Sequence, residues 1–187
     1  VGRSMHDRWL SNAYVVGDAP GGTAVFVDSG APLAPLLELV ERERLTPTHL
    51  LRTHAHGDHV EHESELCDRF GIPVVTGDLV TGGLTVRALT LPGHSDDGLA
   101  FVVNDEICFS GDVLFRDAVG GGPADVVEHS VMEGLMTLAP ELRVLPGQPD
   151  RDAVLEDGRE RQFLRRGPVD GAIAGIDRIR FQIELHD

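Results

Sequence analysis

Three of the nine histidines and a carboxylate fall within six consecutive residues, His54-Ala55-His56-Gly57-Asp58-His59. Buried imidazoles need partners for their ring nitrogens, so a chain seldom places several side by side for packing alone. In an extended segment the side chains of His54 and His56 point to the same side, which allows both to bind one ion. The stretch therefore predicts a divalent metal site; the alternative is a solvated histidine-rich turn.

The length and composition of the chain indicate a globular protein. Hydrophobic residues make up 41% of the 187 residues, and 22 glycines and 11 prolines indicate many turns. We predict a single domain over residues 1–187. We interpret Val1 to Ser4 as a vector-derived remnant ahead of Met5.

The charge and the cysteine content limit the partners and the compartment. Sixteen basic against 31 acidic residues give a formal net charge of −15, which disfavours nucleic acid and anionic membranes as partners. Only two cysteines occur, Cys67 and Cys108, and the first ten residues contain no apolar signal segment. We therefore expect a cytoplasmic protein with reduced thiols.

Apolar runs of strand length come in groups, with helical patterns at irregular intervals between them. Strands are predicted over residues 13–16, 24–27, 49–52, 74–75, 84–89, 99–103, 107–110, 143–145 and 178–185. Helices are predicted over residues 33–40, with Pro32 near the first turn, over 60–70, over 125–138, and in the charged tail as far as Arg166. Two sheets packed face to face, with helices outside, would bury these runs.

Polar residues follow several of the predicted strands directly. His94 follows Pro92-Gly93, and Asp112 follows Gly111. Catalytic zinc commonly has three protein ligands, so His94 is the expected third ligand. Asp58 and His59 could begin a second site, which Asp112 could bridge to the first. The alternatives are a buried His94 bonded to the backbone and a turn aspartate that accepts backbone N–H groups.

Four motifs occur in an order that resembles one known family. H-A-H-G-D-H at 54–59, P-G-H-S at 92–95 and S-G-D-V-L-F at 110–115 resemble the metallo-β-lactamase superfamily, most closely its glyoxalase II-like hydrolases. The segments 12–16 and 27–30 are similar to the opening of that family. The resemblance implies an α/β (α+β) fold, a four-layer αββα sandwich, with the metal site along one edge.

The resemblance also implies a ligand set. It assigns the first metal to His54, His56 and His94. It assigns the second to Asp58, His59 and a further histidine, with Asp112 as the bridge.

The chain departs from the family pattern at that further histidine. The family usually has Pro-Gly-His where this chain has Pro146-Gly147-Gln148. A glutamine offers only a neutral amide oxygen, which is a poor zinc ligand. We therefore predict Gln148 to be a weak ligand or a non-ligand, with Asp150 as an alternative. The predicted cofactor is zinc, one or two ions with a weakened second site, and iron and manganese are alternative metals.

The predicted function is metal-dependent hydrolysis of a small-molecule thioester. A bound metal lowers the pKa of its water ligand to roughly 7, which yields a metal-bound hydroxide at neutral pH. Asp58 would be the catalytic residue that orients the hydroxide or carries its proton. A thiolate leaving group, with a thiol pKa of about 8.5, needs no strong general acid. An amide would need a proton donor, so thioesters rank ahead of lactones and lactones ahead of lactams.

Other functions remain open at this point. Persulfide dioxygenases share the scaffold and hold a single iron through two histidines and an aspartate, which match His54, His94 and Asp112. A lactone hydrolase and a metal-impaired binding protein are further alternatives. The residues after Gln148 lack long apolar helices, so the chain resembles the short form of glyoxalase II, and glutathione specificity does not follow. We interpret the histidines at positions 49, 62 and 129 as bystanders.

Overall fold

The structure is a computed structural model that describes residues 1–116 and 118–148, and these residues form two five-stranded sheets. The first sheet contains β1 (Gly2–Met5), β2 (Asn12–Gly17), β3 (Thr23–Val27), β4 (Thr46–Leu51) and β5 (Val74–Val75), in that order. The pairs β1–β2 and β2–β3 are antiparallel, and the pairs β3–β4 and β4–β5 are parallel.

The second sheet contains β6 (Leu79–Thr81), β7 (Leu84–Thr90), β8 (Leu99–Val103), β9 (Ile107–Gly111) and β10 (Arg143–Pro146). Its strand order is β10-β9-β8-β7-β6, and only the pair β10–β9 is parallel among these strands. The helices are α1 (Ala34–Glu43), α2 (Gly57–Val60), α3 (Glu63–Phe70) and α4 (Ala124–His129). A π-helical turn (Ser130–Gly134) and a 3-10 turn (Leu135–Thr137) continue from α4.

The alternation of side chains along each strand builds four layers. In β8, Phe101 and Val103 pack into the core between the sheets, whereas Ala100 and Val102 face outward and pack against Val127 of α4 and its neighbours. The outer face of the first sheet is covered in the same way by α1 and α3. Because both of its faces are covered, β8 is apolar along its whole length. The predicted αββα sandwich is confirmed.

Several element boundaries differ from the predictions. The helix predicted over 60–70 is broken, because the N–H of His62 bonds the carbonyl of Ser29 and the N–H of Ser29 bonds the carbonyl of His59. Pro32 lies directly before the N-cap residue of α1, Leu33, and Pro35 lies within the first turn. The helix predicted over 125–138 changes from α to π to 3-10 geometry. Gly134 allows this segment to pack closely against Leu91, since a Cβ at position 134 would lie 2.4 Å from Leu91 Cδ2.

Two short edge strands were not predicted. β6 is only three residues long, and β1 lies largely within the segment interpreted as a vector-derived remnant. β1 pairs with β2 along its whole length, and the origin of Val1 to Ser4 stays a prediction. The helix predicted to run to Arg166, the strand predicted over 178–185 and Asp150 lie outside the described residues. In the described part of the chain, no helix combines the length and the apolar character that crossing a bilayer requires.

Candidate metal centre

Three loops converge at one edge of the sandwich, each following a strand. The loop after β4 carries His54 and His56, and α2 then begins at Gly57 because His56 adopts an extended conformation at the helix N-cap. His94 lies in the loop after β7, and Asp112 directly follows β9. The N–H of Leu99 bonds the carbonyl of Thr53, which fastens the first loop to the second sheet.

The first group of ligand atoms contains three imidazoles. One nitrogen each from His54, His56 and His94 lies within 4.8 Å of the others. Nε2 of His94 contacts Nδ1 of His56 directly, at 3.1 Å. His54 is buried, His94 is half-buried and His56 is exposed, so the group opens to solvent on one side.

Hydrogen bonds behind the imidazoles fix which nitrogen faces the centre. The Thr53 hydroxyl donates to Oδ2 of Asp28 at 2.7 Å, so it must accept the 3.0 Å bond from Nδ1–H of His54. That tautomer leaves the lone pair of His54 Nε2 free. Nδ1 of His94 donates to the Gly121 carbonyl at 3.2 Å, which leaves its Nε2 free in the same way. Partners of this kind orient metal-binding histidines.

The second group contains His54, His59 and Asp112, with ligand atoms again within 4.8 Å of one another. Nδ1 of His59 lies 2.9 Å from Oδ2 of Asp28, and Nε2 lies 3.3 Å from Oδ1 of Asp112. Oδ2 of Asp112 is 3.7 Å from Nε2 of His94. The two oxygens of Asp112 therefore face the two groups, one each, which is the arrangement that a bridging carboxylate requires.

The buried charges shift the protonation of these residues. Burial lowers the pKa of His54 to about 4, and it also lowers the pKa of His94. Burial acts in the same direction on His59, but the carboxylates of Asp112 and Asp28 outweigh it and raise the pKa of His59 to about 10. The pKa of Asp112 stays below its usual value despite burial, because the His59 imidazole lies beside it.

Three buried ligand atoms have no hydrogen-bond partner among the described residues: His54 Nε2, His59 Nε2 and Asp112 Oδ1. An unpartnered buried polar atom is costly, and a bound cation would satisfy all three. Imidazole nitrogens with a carboxylate form a donor set suited to zinc and to other divalent transition metals. The residues present therefore fit a divalent metal ion. The three unpartnered atoms are those of the second group, and the three-histidine group shares one of them, His54 Nε2.

Asp58 and Gln148 lie beside these groups rather than within them. Asp58 is in the first turn of α2, and its Oδ2 is 3.8 Å from Nε2 of His59. The same oxygen accepts a 3.2 Å hydrogen bond from the amide Nε2 of Gln148. Of the predicted ligands, the structure thus brings five into the two groups and leaves these two adjoining. The histidines at positions 49 and 62 contact Thr48 and Glu65 instead, and the one at position 129 belongs to neither group.

Sequence reasoning did not assign a role to Asp28 or Thr53, although both orient the centre. Asp28 accepts the N–H and the hydroxyl of Thr53 as well as Nδ1–H of His59. The available signal was a carboxylate directly after the apolar run 24–27 of β3. Its left-handed backbone conformation, with φ of 54°, turns the side chain toward the centre and is uncommon for a residue other than glycine.

Backbone atoms approach the centre closely at two glycines. A Cβ at position 147 would lie 2.4 Å from Oδ1 of Asp112 and 2.8 Å from Cε1 of His59. A Cβ at Gly30 would lie 1.5 Å from the carbonyl oxygen of Asp58. Both positions therefore need a residue without a side chain.

Loops that carry histidines and a carboxylate at the edge of an αββα sandwich define the class of metallo-β-lactamase-like proteins. The family model described as the metallo-beta-lactamase superfamily matches residues 6–84, which include β2 to β5 and the candidate ligands His54 and His56. The chain belongs to the metallo-β-lactamase superfamily.

Individual relatives agree with this assignment. A hydroxyacylglutathione hydrolase of Rhodopseudomonas palustris is 34% identical over 152 residues, which cover 71% of this chain and 57% of that protein. The structure of BLEG-1, a B3 metallo-β-lactamase, has a TM-score of 0.71 at 25% identity and covers 78% of this chain and 90% of that one. The structure of TTHA1623 in a di-iron-bound form has a TM-score of 0.63 at 28% identity. The match covers 78% of this chain and 91% of that one. The superfamily and the relative named as a hydrolase support a metallo-hydrolase.

Proposed function

We propose that this protein is a metal-dependent hydrolase that cleaves small-molecule thioesters. The observation that carries the proposal is the convergence of His54, His56 and His94, with ligand atoms within 4.8 Å and an exposed side. A divalent ion bound there supplies Lewis acidity, which acidifies water and polarises a carbonyl group.

The side chains of this chain then provide orientation and proton transfer. Asp58 has a partly exposed carboxylate beside His59, where it can accept a proton from water or orient it. Asp28 and Thr53 hold the imidazoles in the tautomers that keep Nε2 available. The exposed His56 lies on the side from which a substrate can enter.

The leaving group favours a thioester. A thiol has a pKa of about 8.5, so a thiolate departs without a strong general acid, whereas an amine leaving group needs a proton. The name of the Rhodopseudomonas palustris relative, hydroxyacylglutathione hydrolase, supports the same substrate class. The chain covers just over half of that protein, so the thiol part of the substrate is not carried over.

Zinc is the metal that we propose, because a site of three imidazoles with an open side is typical of catalytic zinc. The di-iron-bound neighbour supports iron as the alternative. Iron would be consistent with a second candidate function, a persulfide dioxygenase that uses His54, His94 and Asp112. The 3.7 Å approach of Asp112 to His94 favours that triad, but the triad leaves out His56, whose Nδ1 is the nearer neighbour of His94 at 3.1 Å.

The test is a substrate panel on protein purified without added metal, combined with elemental analysis. The panel contains an acyl thioester, a lactone, a β-lactam and glutathione persulfide with an oxygen electrode. We expect thioester cleavage that is lost on chelation and restored by zinc. Oxygen consumption with the persulfide, without thioester cleavage, would instead establish the dioxygenase. A chain without metal and without any of these activities would be a binding protein.

A further inference from the structure

Gln148 stands after Pro146-Gly147, where the resemblance in the sequence implies a histidine, and it is almost fully buried. The residue is the second after β10, and it is only 6% exposed. Its amide nitrogen donates to Oδ2 of Asp58 at 3.2 Å. An ionised carboxylate can only accept hydrogen bonds, so the amide presents its N–H₂ and not its oxygen to Asp58.

Gln148 binds the oxygen through which Asp58 could reach the second group. Oδ2 of Asp58 is also the oxygen that lies 3.8 Å from Nε2 of His59, in the direction of the second group. A histidine at position 148 would offer a lone pair at this point. The amide N–H₂ of Gln148 instead donates a hydrogen bond to the Asp58 carboxylate, where a second cation would otherwise lie.

The remaining atoms of the second group are too few for tight binding. His54 belongs to both groups, but its Nδ1 is engaged with Thr53, so its one free nitrogen can bind only one ion. When His54 serves the three-histidine group, the second group retains His59 and one oxygen of Asp112. Protein sites that hold zinc tightly generally supply at least three ligands.

We propose that Gln148 restricts this centre to one tightly held metal ion, bound by His54, His56 and His94, and acts as a positioning residue that holds the Asp58 carboxylate beside it. The inference rests on the proposed metal-dependent function but not on its substrate. Asp58 is then a carboxylate available for proton transfer rather than a ligand. In a centre that holds two ions, by contrast, the carboxylate at this position would be a metal ligand.

Zinc titration of the metal-free protein by calorimetry, with elemental analysis after dialysis, tests the proposal without a substrate. We expect one tightly held zinc in the wild type and two in Gln148→His, with the second ion bound at least about 10-fold more tightly than in the wild type. The matched control is Val80→His, which adds a histidine on the exposed β6, at the sheet edge opposite β10, and should hold one zinc.

The variant Asp58→Asn separates the two roles of Asp58. In the wild-type background it should leave the affinity of the single tight zinc unchanged, because Asp58 is not a ligand there. In the Gln148→His background it should remove the second ion. Two tightly held zinc ions in the wild type, or a loss of the first ion in Asp58→Asn, would overturn the proposal, and both are measurable even where Gln148→His does not fold.

The same measurements keep this inference separate from the proposed function. One zinc in the wild type and two in Gln148→His, without cleavage of any thioester, would support the role of Gln148 and contradict the substrate assignment. Thioester cleavage by a wild type with two tight zinc ions would do the reverse.

Discussion

Nδ1 of His59 lies 2.9 Å from Oδ2 of Asp28, and neither side chain is more than 3% exposed. The same carboxylate accepts the Thr53 hydroxyl, which in turn accepts Nδ1–H of His54. One buried aspartate therefore orients one histidine directly and a second through a threonine. Such outer partners are part of a metal site because they fix the tautomer and the orientation of each imidazole.

The variant Asp28→Asn keeps the shape of this side chain and removes its charge. We expect the affinity for zinc to fall by about 10- to 100-fold, since the imidazoles lose the acceptor that orients them. We also expect the free energy of unfolding to fall by about 1–3 kcal/mol, because buried donors of Thr53 and His59 lose a charged acceptor. Competition with a chromophoric chelator and urea unfolding measure the two effects.

The matched control for Asp28→Asn is Asp18→Asn. Asp18 also accepts backbone N–H groups, those of Thr23 and Gly83, but it lies in the exposed turn between β2 and β3. This variant should lose some stability and retain the wild-type affinity for zinc. Equal affinities in both variants would show that Asp28 does not orient the metal ligands.

Substitution of His56 tests whether the centre works as a hydrolase. Its Nδ1 faces Nε2 of His94 at 3.1 Å, so His56→Ala removes one of three imidazoles. We expect thioester hydrolysis to fall to background and the zinc content to fall with it. The control is His62→Ala, which removes a half-buried histidine paired with Glu65 outside the centre and should retain activity. Retained activity in His56→Ala would favour the triad of His54, His94 and Asp112.

The layered fold could be predicted because burial on both faces leaves a clear pattern in the sequence. The run Ala24-Val25-Phe26-Val27 is apolar throughout, since two of its side chains face the inner core and two face α1 and α3. His94 and Asp112 each follow a predicted strand, and this position likewise predicted that the candidate ligands lie at one edge of the sandwich. The short edge strands β1 and β6 carried no such pattern, because few of their side chains are buried.

The parts that could not be predicted depend on contacts between distant residues. The break between α2 and α3 arises from the bond between His62 N–H and the Ser29 carbonyl, which joins segments 33 residues apart in the chain. The role of Asp28 depends on its contact with His59 across 31 residues. The contact of Gln148 with Asp58 spans 90 residues. Local propensity and periodicity contain no information on such pairs.

Substitution of Gly147 tests how closely the backbone must approach the metal centre. A methyl group at this position would lie 2.4 Å from Oδ1 of Asp112, so Gly147→Ala must displace that carboxylate. The other oxygen of Asp112 lies 3.7 Å from Nε2 of His94, so the displaced carboxylate should disturb this ligand. We therefore expect zinc affinity and hydrolysis to fall by at least about 10-fold, as for loss of an orienting partner. The control is Gly77→Ala, where the added Cβ would meet no atom within 4 Å. Identical zinc affinities in the two variants would show that the position of Asp112 does not affect the ligand His94.

The stability of the metal-free protein should fall in acid because of His54. Burial lowers the pKa of this imidazole from 6.5 to about 4 in the folded state. Between these values the unfolded chain binds a proton that the folded protein does not bind, so stability is lost as the pH falls from 6.5 toward 4. The loss attributable to His54 should approach about 3 kcal/mol. His94, whose pKa is also lowered, acts in the same direction.

Urea unfolding of the metal-free protein between pH 7 and pH 4.5, compared with His54→Asn, isolates this contribution. The variant should be the less stable protein at pH 7, and the difference should shrink by about 2–3 kcal/mol at the acid end, because the variant has no imidazole to protonate on unfolding. His59 acts on the other side of neutrality. The carboxylates of Asp112 and Asp28 overcome burial and raise its pKa to about 10, so its contribution is lost as the pH rises from 6.5 through 10. A wild type and variant whose stabilities stay parallel in acid would show that His54 is not held neutral in the folded state.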